Sequence, residues 1–137
     1  MATASHPPLE EPLRVSILTQ GSYLIASIHT ALDDGQLVRF RRDLLEQIGR
    51  QRSRGVIIDV AALDVIDSFA CHTLRTITEV ARLRGAETVV VGIRPDVAIA
   101  MVQFNLDMEP LRTGLDLDEG IELLDALTLQ QDGPDGR

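Results

Sequence analysis

Residues 56–84 read VIIDVAALDVIDSFACHTLRTITEVARLR, and this stretch decides the fold. Val56-Ile57-Ile58 is short, β-branched and continuously apolar, as suits a central strand covered on at least one face by crossover helices. The strand ends at Asp59, a short loop follows, and Asp67-Ser68 stands where the next helix begins. From there the period is helical. Ala70, Leu74, Ile77 and Ala81 fall at i, i+4, i+7 and i+11 and are expected to face the sheet. Ser68, His72, Arg75, Glu79 and Arg82 recur on a different face, and all are polar. Thr88-Val89-Val90-Val91 repeats the strand signal, so the segment between the two runs is the crossover helix of a right-handed βαβ unit.

Working outward, Val15-Ser16-Ile17-Leu18 alternates like a half-buried strand. Gln20-Gly21-Ser22 supplies a turn and Tyr23 to Ile28 returns, which predicts an opening hairpin. Asp33 with Gln36 gives a capping signal for a helix whose inner stripe is Leu37, Phe40, Leu44 and Ile48, with Arg39, Arg42, Asp43 and Glu46 outward. Pro95-Asp96 opens a further helix through Phe104. Asp116 with Glu119 caps a last one, with Leu117, Ile121 and Leu124 inside. The predicted order, β-β-α-β-α-β-α-(β)-α, describes a small α/β domain with a mixed sheet. Residues 1–12, with Pro7, Pro8 and Pro12, read as a flexible lead-in, 13–128 as the domain and 129–137 as a flexible tail.

A chain of 137 residues with 45% apolar and 25% charged residues has the balance of one globular domain. It has no apolar run long enough to span a membrane and no signal-like N-terminus. With the lone cysteine, Cys71, this predicts a cytoplasmic protein. A net charge of −8 argues against nucleic-acid binding. All thirteen cations are Arg, and six lie between Arg39 and Arg54, which reads first as the solvated face and exit of a helix and second as a partner surface.

No catalytic, metal or cofactor site is predicted. His6, His29 and His72 are scattered and, with one cysteine, make no metal signature. Ser68 and His72 are four apart, with Asp67 or Asp64 as a conceivable third member, but no Gly-x-Ser-x-Gly elbow holds the serine. Val97 to Phe104 has almost no polar side, so that helix is either deeply buried or covered by a neighbouring subunit, which points to self-association.

Asp67 and Ser68 both belong to the residue types that cap helices, and the local pattern alone favours a capping role for Ser68. The polar stripe supports a second reading, since a hydroxyl at its head is accessible to a kinase. Phosphate there adds about −1.5 to −2 charges. The helix N-terminus accommodates that charge, while Asp67 beside it, and Asp64, repel it.

The segment resembles the STAS (sulfate transporter and anti-sigma factor antagonist) family, whose phosphorylatable Ser or Thr follows an Asp at this junction. Within the family, Val65-Ile66-Asp67-Ser68-Phe69 and Gly85 to Ile99 are most similar to the RsbS type, the small STAS subunits of stressosomes. The resemblance covers roughly Val15 to Leu127 and implies a SpoIIAA-like fold. It also implies a non-catalytic bacterial stress-signalling role with Ser68 as phosphoacceptor. In that role the unphosphorylated form sequesters an RsbT-type kinase within a complex with RsbR-type STAS proteins, phosphorylation releases the kinase, and an RsbX-type phosphatase resets the switch. Asp67, as the neighbour of Ser68, and His72, Arg75 and Glu79, from the helical spacing, are the candidate kinase contacts. The alternative is a classical anti-sigma factor antagonist of the RsbV or SpoIIAA kind, binding an RsbW-type kinase. Such proteins usually continue after Asp-Ser with small residues, whereas bulky Phe69 follows here.

Overall fold

The computed structural model describes residues 14–104 and 111–132. The elements run β1 (Val15–Gln20), β2 (Tyr23–Ile28), α1 (Asp34–Gln51), β3 (Gly55–Asp59), α2 (Ser68–Leu83), β4 (Glu87–Val91), α3 (Pro95–Gln103), β5 (Arg112–Gly114) and α4 (Leu117–Asp132). This is the order the sequence predicts. The five strands lie in chain order, with β1 antiparallel to β2 and the rest parallel. The opening hairpin turns on Gly21, whose φ of 60° suits a residue without Cβ.

Alternation along the strands sorts their side chains onto two faces. Leu24, Ala26, Ile28, Val56, Ile58 and Val90 pack with the inner stripes of α1 and α2. Val97 and Met101 of α3 close the same core. Ile25, Ile57, Val89 and Val91 point the other way and meet α4 through Leu124, with Leu117 and Ile121 beside it. Both faces of β3 and β4 are therefore dry, which is why these strands read as unbroken apolar runs. α4 covers the β3–β5 part of its face. Leu18 on β1 lies outside that cover and remains 62% exposed.

Local signals account for the helix starts. Asp33 and Gln36 form a reciprocal capping box, and Asp116 Oδ1 accepts from the Glu119 amide at 3.0 Å. At α2 the structure corrects one expectation. Asp67 is the N-cap, accepting from the Ala70 amide at 2.8 Å, and Ser68 is the first helical residue with no capping bond of its own. A second correction concerns the inner stripe of α2. Leu74, Ile77 and Ala81 are buried as expected, joined by Cys71, Thr73 and Thr78, whereas Ala70 is half-exposed. The hydroxyls of Thr73 and Thr78 donate to the Phe69 and Leu74 carbonyls one turn back, so burial leaves neither unpaired. The lead-in 1–12 lies outside the described residues. Four residues of the expected tail, 129–132, belong to α4, and 133–137 lie outside the description.

Gly120 sets the approach of α4 to the sheet, for a Cβ there would stand 2.8 Å from Val91 Cγ1 and 3.3 Å from Ile57 Cδ1. Gly120→Val is expected to cost about 1–3 kcal/mol by overpacking, read as a lowered thermal midpoint. Gly35→Ala, near the exposed start of α1, is the control and should be neutral or slightly stabilising. In urea titrations Asp67→Ala should cost about 1 kcal/mol through the lost cap. Ser68→Ala should cost roughly 0.5 kcal/mol or less, because the cap survives it.

Candidate functional site

The site is built where β3 hands over to α2. Asp59 Oδ1 accepts from the Ala61 amide at 2.9 Å, and the Val60 amide donates to the Val91 carbonyl at 3.0 Å. These bonds turn the chain out of the sheet at the carboxyl ends of the parallel strands. Arg94, just before α3, donates its Nε to the Ala61 carbonyl at 3.0 Å. Gly92, with φ of 79°, packs so closely that a Cβ would meet the Ala61 Cβ at 2.8 Å. The loop is thus clamped at its start by the chain after β4. At its end the Asp67 cap fixes it to α2. Between these ties Leu63 is buried, Ile66 half-buried and Val65 64% exposed.

Ser68 lies just past the cap, exposed, and its Oγ has no hydrogen-bond partner among the described residues. The α2 amides of Ser68 and Phe69 precede the first helical bonds, so the positive end of the helix dipole surrounds this hydroxyl. Chemically, the free amides of this first turn can hold an anion. Among the described residues no histidine or other base is bonded to Ser68, and no group of three His, Cys, Asp or Glu is placed to hold a metal ion.

The other predicted site residues share one helix face to different degrees. Asp67, His72 and Glu79 are exposed, while Arg75 is half-exposed and pairs with Glu79, its Nε 3.3 Å from Oε2. Such an i,i+4 pair at the surface is worth only a few tenths of a kcal/mol and is easily traded for a partner's group. Cys71 lies beneath this face, 2% exposed. Burial, with the Asp67 charge adding to it, pushes its thiol up to about 11, so it is protonated at neutral pH.

The sequence reading missed an apolar cleft of about 170 Å³ next to Asp67. It lies between the β2–α1 connection at Ala31 and Leu32 and the loop side chains Leu63, Val65 and Ile66. Its two walls are more than thirty residues apart in sequence, so no local pattern announces it. The α3 helix is half covered. Val97 and Met101 are buried, but Ile99, Val102 and Phe104 are 56%, 72% and 43% exposed, near Leu115 at 80%. Among the described residues no helix is long and apolar enough to cross a membrane.

The STAS domain pattern matches residues 14–120. The chain is 34% identical to a solved serine-to-glutamate form of RsbS from Moorella thermoacetica, with a TM-score of 0.76 over 85% of this chain and 98% of that one. A chain from the molecular architecture of the stressosome, described as a signal integration and transduction hub, is 31% identical with a TM-score of 0.69, covering 82% and 98%. RsbT co-antagonist protein RsbRA of Bacillus subtilis (strain 168) is 31% identical over 91 residues, 66% of this chain and 33% of that protein. This chain spans a third or less of the curated relatives it matches. The anti-sigma factor antagonist SpoIIAA, at 12% identity and a TM-score of 0.62, shares the fold. None of these matches is to an enzyme family. With the pattern covering most of the chain and the RsbS likeness running almost end to end, the protein belongs to the STAS domain family and is RsbS-like within it.

Proposed function

We propose that the chain is a non-catalytic phospho-switch subunit of a stressosome. Its unphosphorylated form holds an RsbT-type serine/threonine kinase, and phosphorylation of Ser68 releases that kinase to signal. The observation that carries this reading is the division of labour at the start of α2. Asp67 does the capping, which leaves the exposed Ser68 hydroxyl free to be modified without dismantling the helix. A phosphate there gains the helix N-terminal amides and stays solvated, so the fold survives. What changes is the surface a partner meets. His72, Arg75 and Glu79 continue that surface along α2 as candidate contacts, and Arg75 and Glu79 must first part from each other. An RsbX-type phosphatase would restore the hydroxyl. The 34% identity to RsbS supports this reading over the classical antagonist, whose likeness here is of fold alone.

The names of the curated relatives, RsbT co-antagonists of the RsbR group, point to the companion subunit. An RsbR-type STAS protein would cover the outward side of α3. The overall charge of −8 opposes self-association through an unaided surface, and apolar Ile99, Val102 and Phe104 supply the counterweight.

With an RsbT-type kinase and ATP, Ser68→Ala should incorporate no phosphate, checked by mass spectrometric mapping of the site. Undiminished incorporation would remove Ser68 from the assignment. Ser68→Glu should weaken kinase retention relative to wild type and Ser68→Ala in a direct binding assay, and equal affinities would place Ser68 outside the recognition surface. Ile99→Asp should leave the circular dichroism spectrum native, because Ile99 is more than half exposed, yet abolish the heavy particle formed with an RsbR-type protein in light scattering. A mixture of the wild-type proteins that stays at two small species would end the stressosome reading.

A further inference from the structure

The cleft beside Asp67 has a chemistry that the switch reading does not use. Its floor is made of Leu37, Leu63 and Leu74, all buried, and its lips of Leu32, Val65 and Ala70, half-exposed or exposed. About 170 Å³ is room for a single bulky apolar side chain. The charged side chains of its two wall segments are acidic, and Arg39, one turn into α1, is the nearest cation on that helix. Asp67 lines the cleft, while Asp33 and Asp34 follow lining Leu32 in the chain and Asp64 falls between lining Leu63 and Val65, all four exposed. Among the described residues, Asp33 and Asp67 of these four are engaged, each by one oxygen in a helix cap. Neither wall segment, 28–37 or 60–74, contains any of the thirteen Arg. Arg94 meets the loop at the Ala61 carbonyl, next to β3.

We infer that this cleft is a docking site for a cationic segment of a partner protein, which inserts one bulky apolar side chain between Leu32 and Val65 and sets Arg or Lys residues against the four aspartates. The apolar insertion supplies the affinity, and the charges supply orientation and speed of encounter. The inference stands apart from the phosphorylation reading. A phosphate on Ser68 would add charge of the same sign as the rim, so the segment binds the modified chain at least as well as the unmodified one. It is therefore not the contact that phosphorylation breaks.

Fluorescence anisotropy with the full chain and three labelled heptapeptides tests it: a leucine flanked by arginines, an alanine flanked by the same arginines, and a leucine flanked by glutamates. The first should bind at least about tenfold more tightly than the second. The third should not bind, and added salt should weaken the first. Asp34→Asn with Asp64→Asn, both surface changes outside the caps, should reduce binding about tenfold with an unchanged melting curve. Ala70→Leu, which fills the cleft from α2, should abolish it. Should that variant fail to fold, the aspartate pair decides. Ser68→Glu should bind the first peptide as tightly as wild type or more so. Equal binding of the leucine and alanine peptides, or indifference to the aspartate pair, or loss of binding in Ser68→Glu, would overturn the proposal. A failure of Ser68 phosphorylation with peptide binding intact would count against the switch reading alone.

Discussion

Everything in this domain follows from burying β3 on both of its faces. A parallel strand inside a sheet must have its backbone paired on both sides and its side chains dry above and below. Val56 and Ile58 enter one core and Ile57 the other, so helices are required on both faces. Parallel neighbours require crossovers, and the crossover from β3 to β4 is α2. Its start must lie beyond the carboxyl end of β3. The Asp67-Ser68 junction is therefore fixed in space by packing some distance away, and its exposure is a by-product of the fold.

The capping of α2 shows how structure and chemistry divide between adjacent residues. A helix N-terminus needs an acceptor for its free amides, and the phosphorylation proposed above needs a hydroxyl with nothing else to do. Asp67 meets the first need and Ser68 is left for the second. With the roles as they stand, the Asp67 cap does not depend on the Ser68 hydroxyl.

Most of the fold is legible in the sequence because it is local. The apolar runs of β3 and β4, the Asp33–Gln36 box and the Leu37-Phe40-Leu44-Ile48 stripe each specify their element without outside help. What was not legible depends on distant chain. Ser68 and Asp67 are both competent caps, and only the backbone path decides which oxygen reaches the Ala70 amide. Ala70 fits the apolar period but sits where α2 overhangs the cleft. The exposure of Leu18 and Ile99 depends on how far α4 and the main core reach. The cleft joins Leu32 to Val65 across the end of the sheet, and no periodicity connects them.

Cys71 gives the molecule an internal clock. Its sulfur is one turn from Ser68, shut beneath α2, and the burial that raises its thiol pKa leaves little thiolate while the helix is closed. Alkylation therefore waits for α2 to lift off the sheet, and the rate of thiol capture reports how often that helix opens. The same burial shields the chain's one sulfhydryl from the sulfenic and sulfinic stages of oxidation.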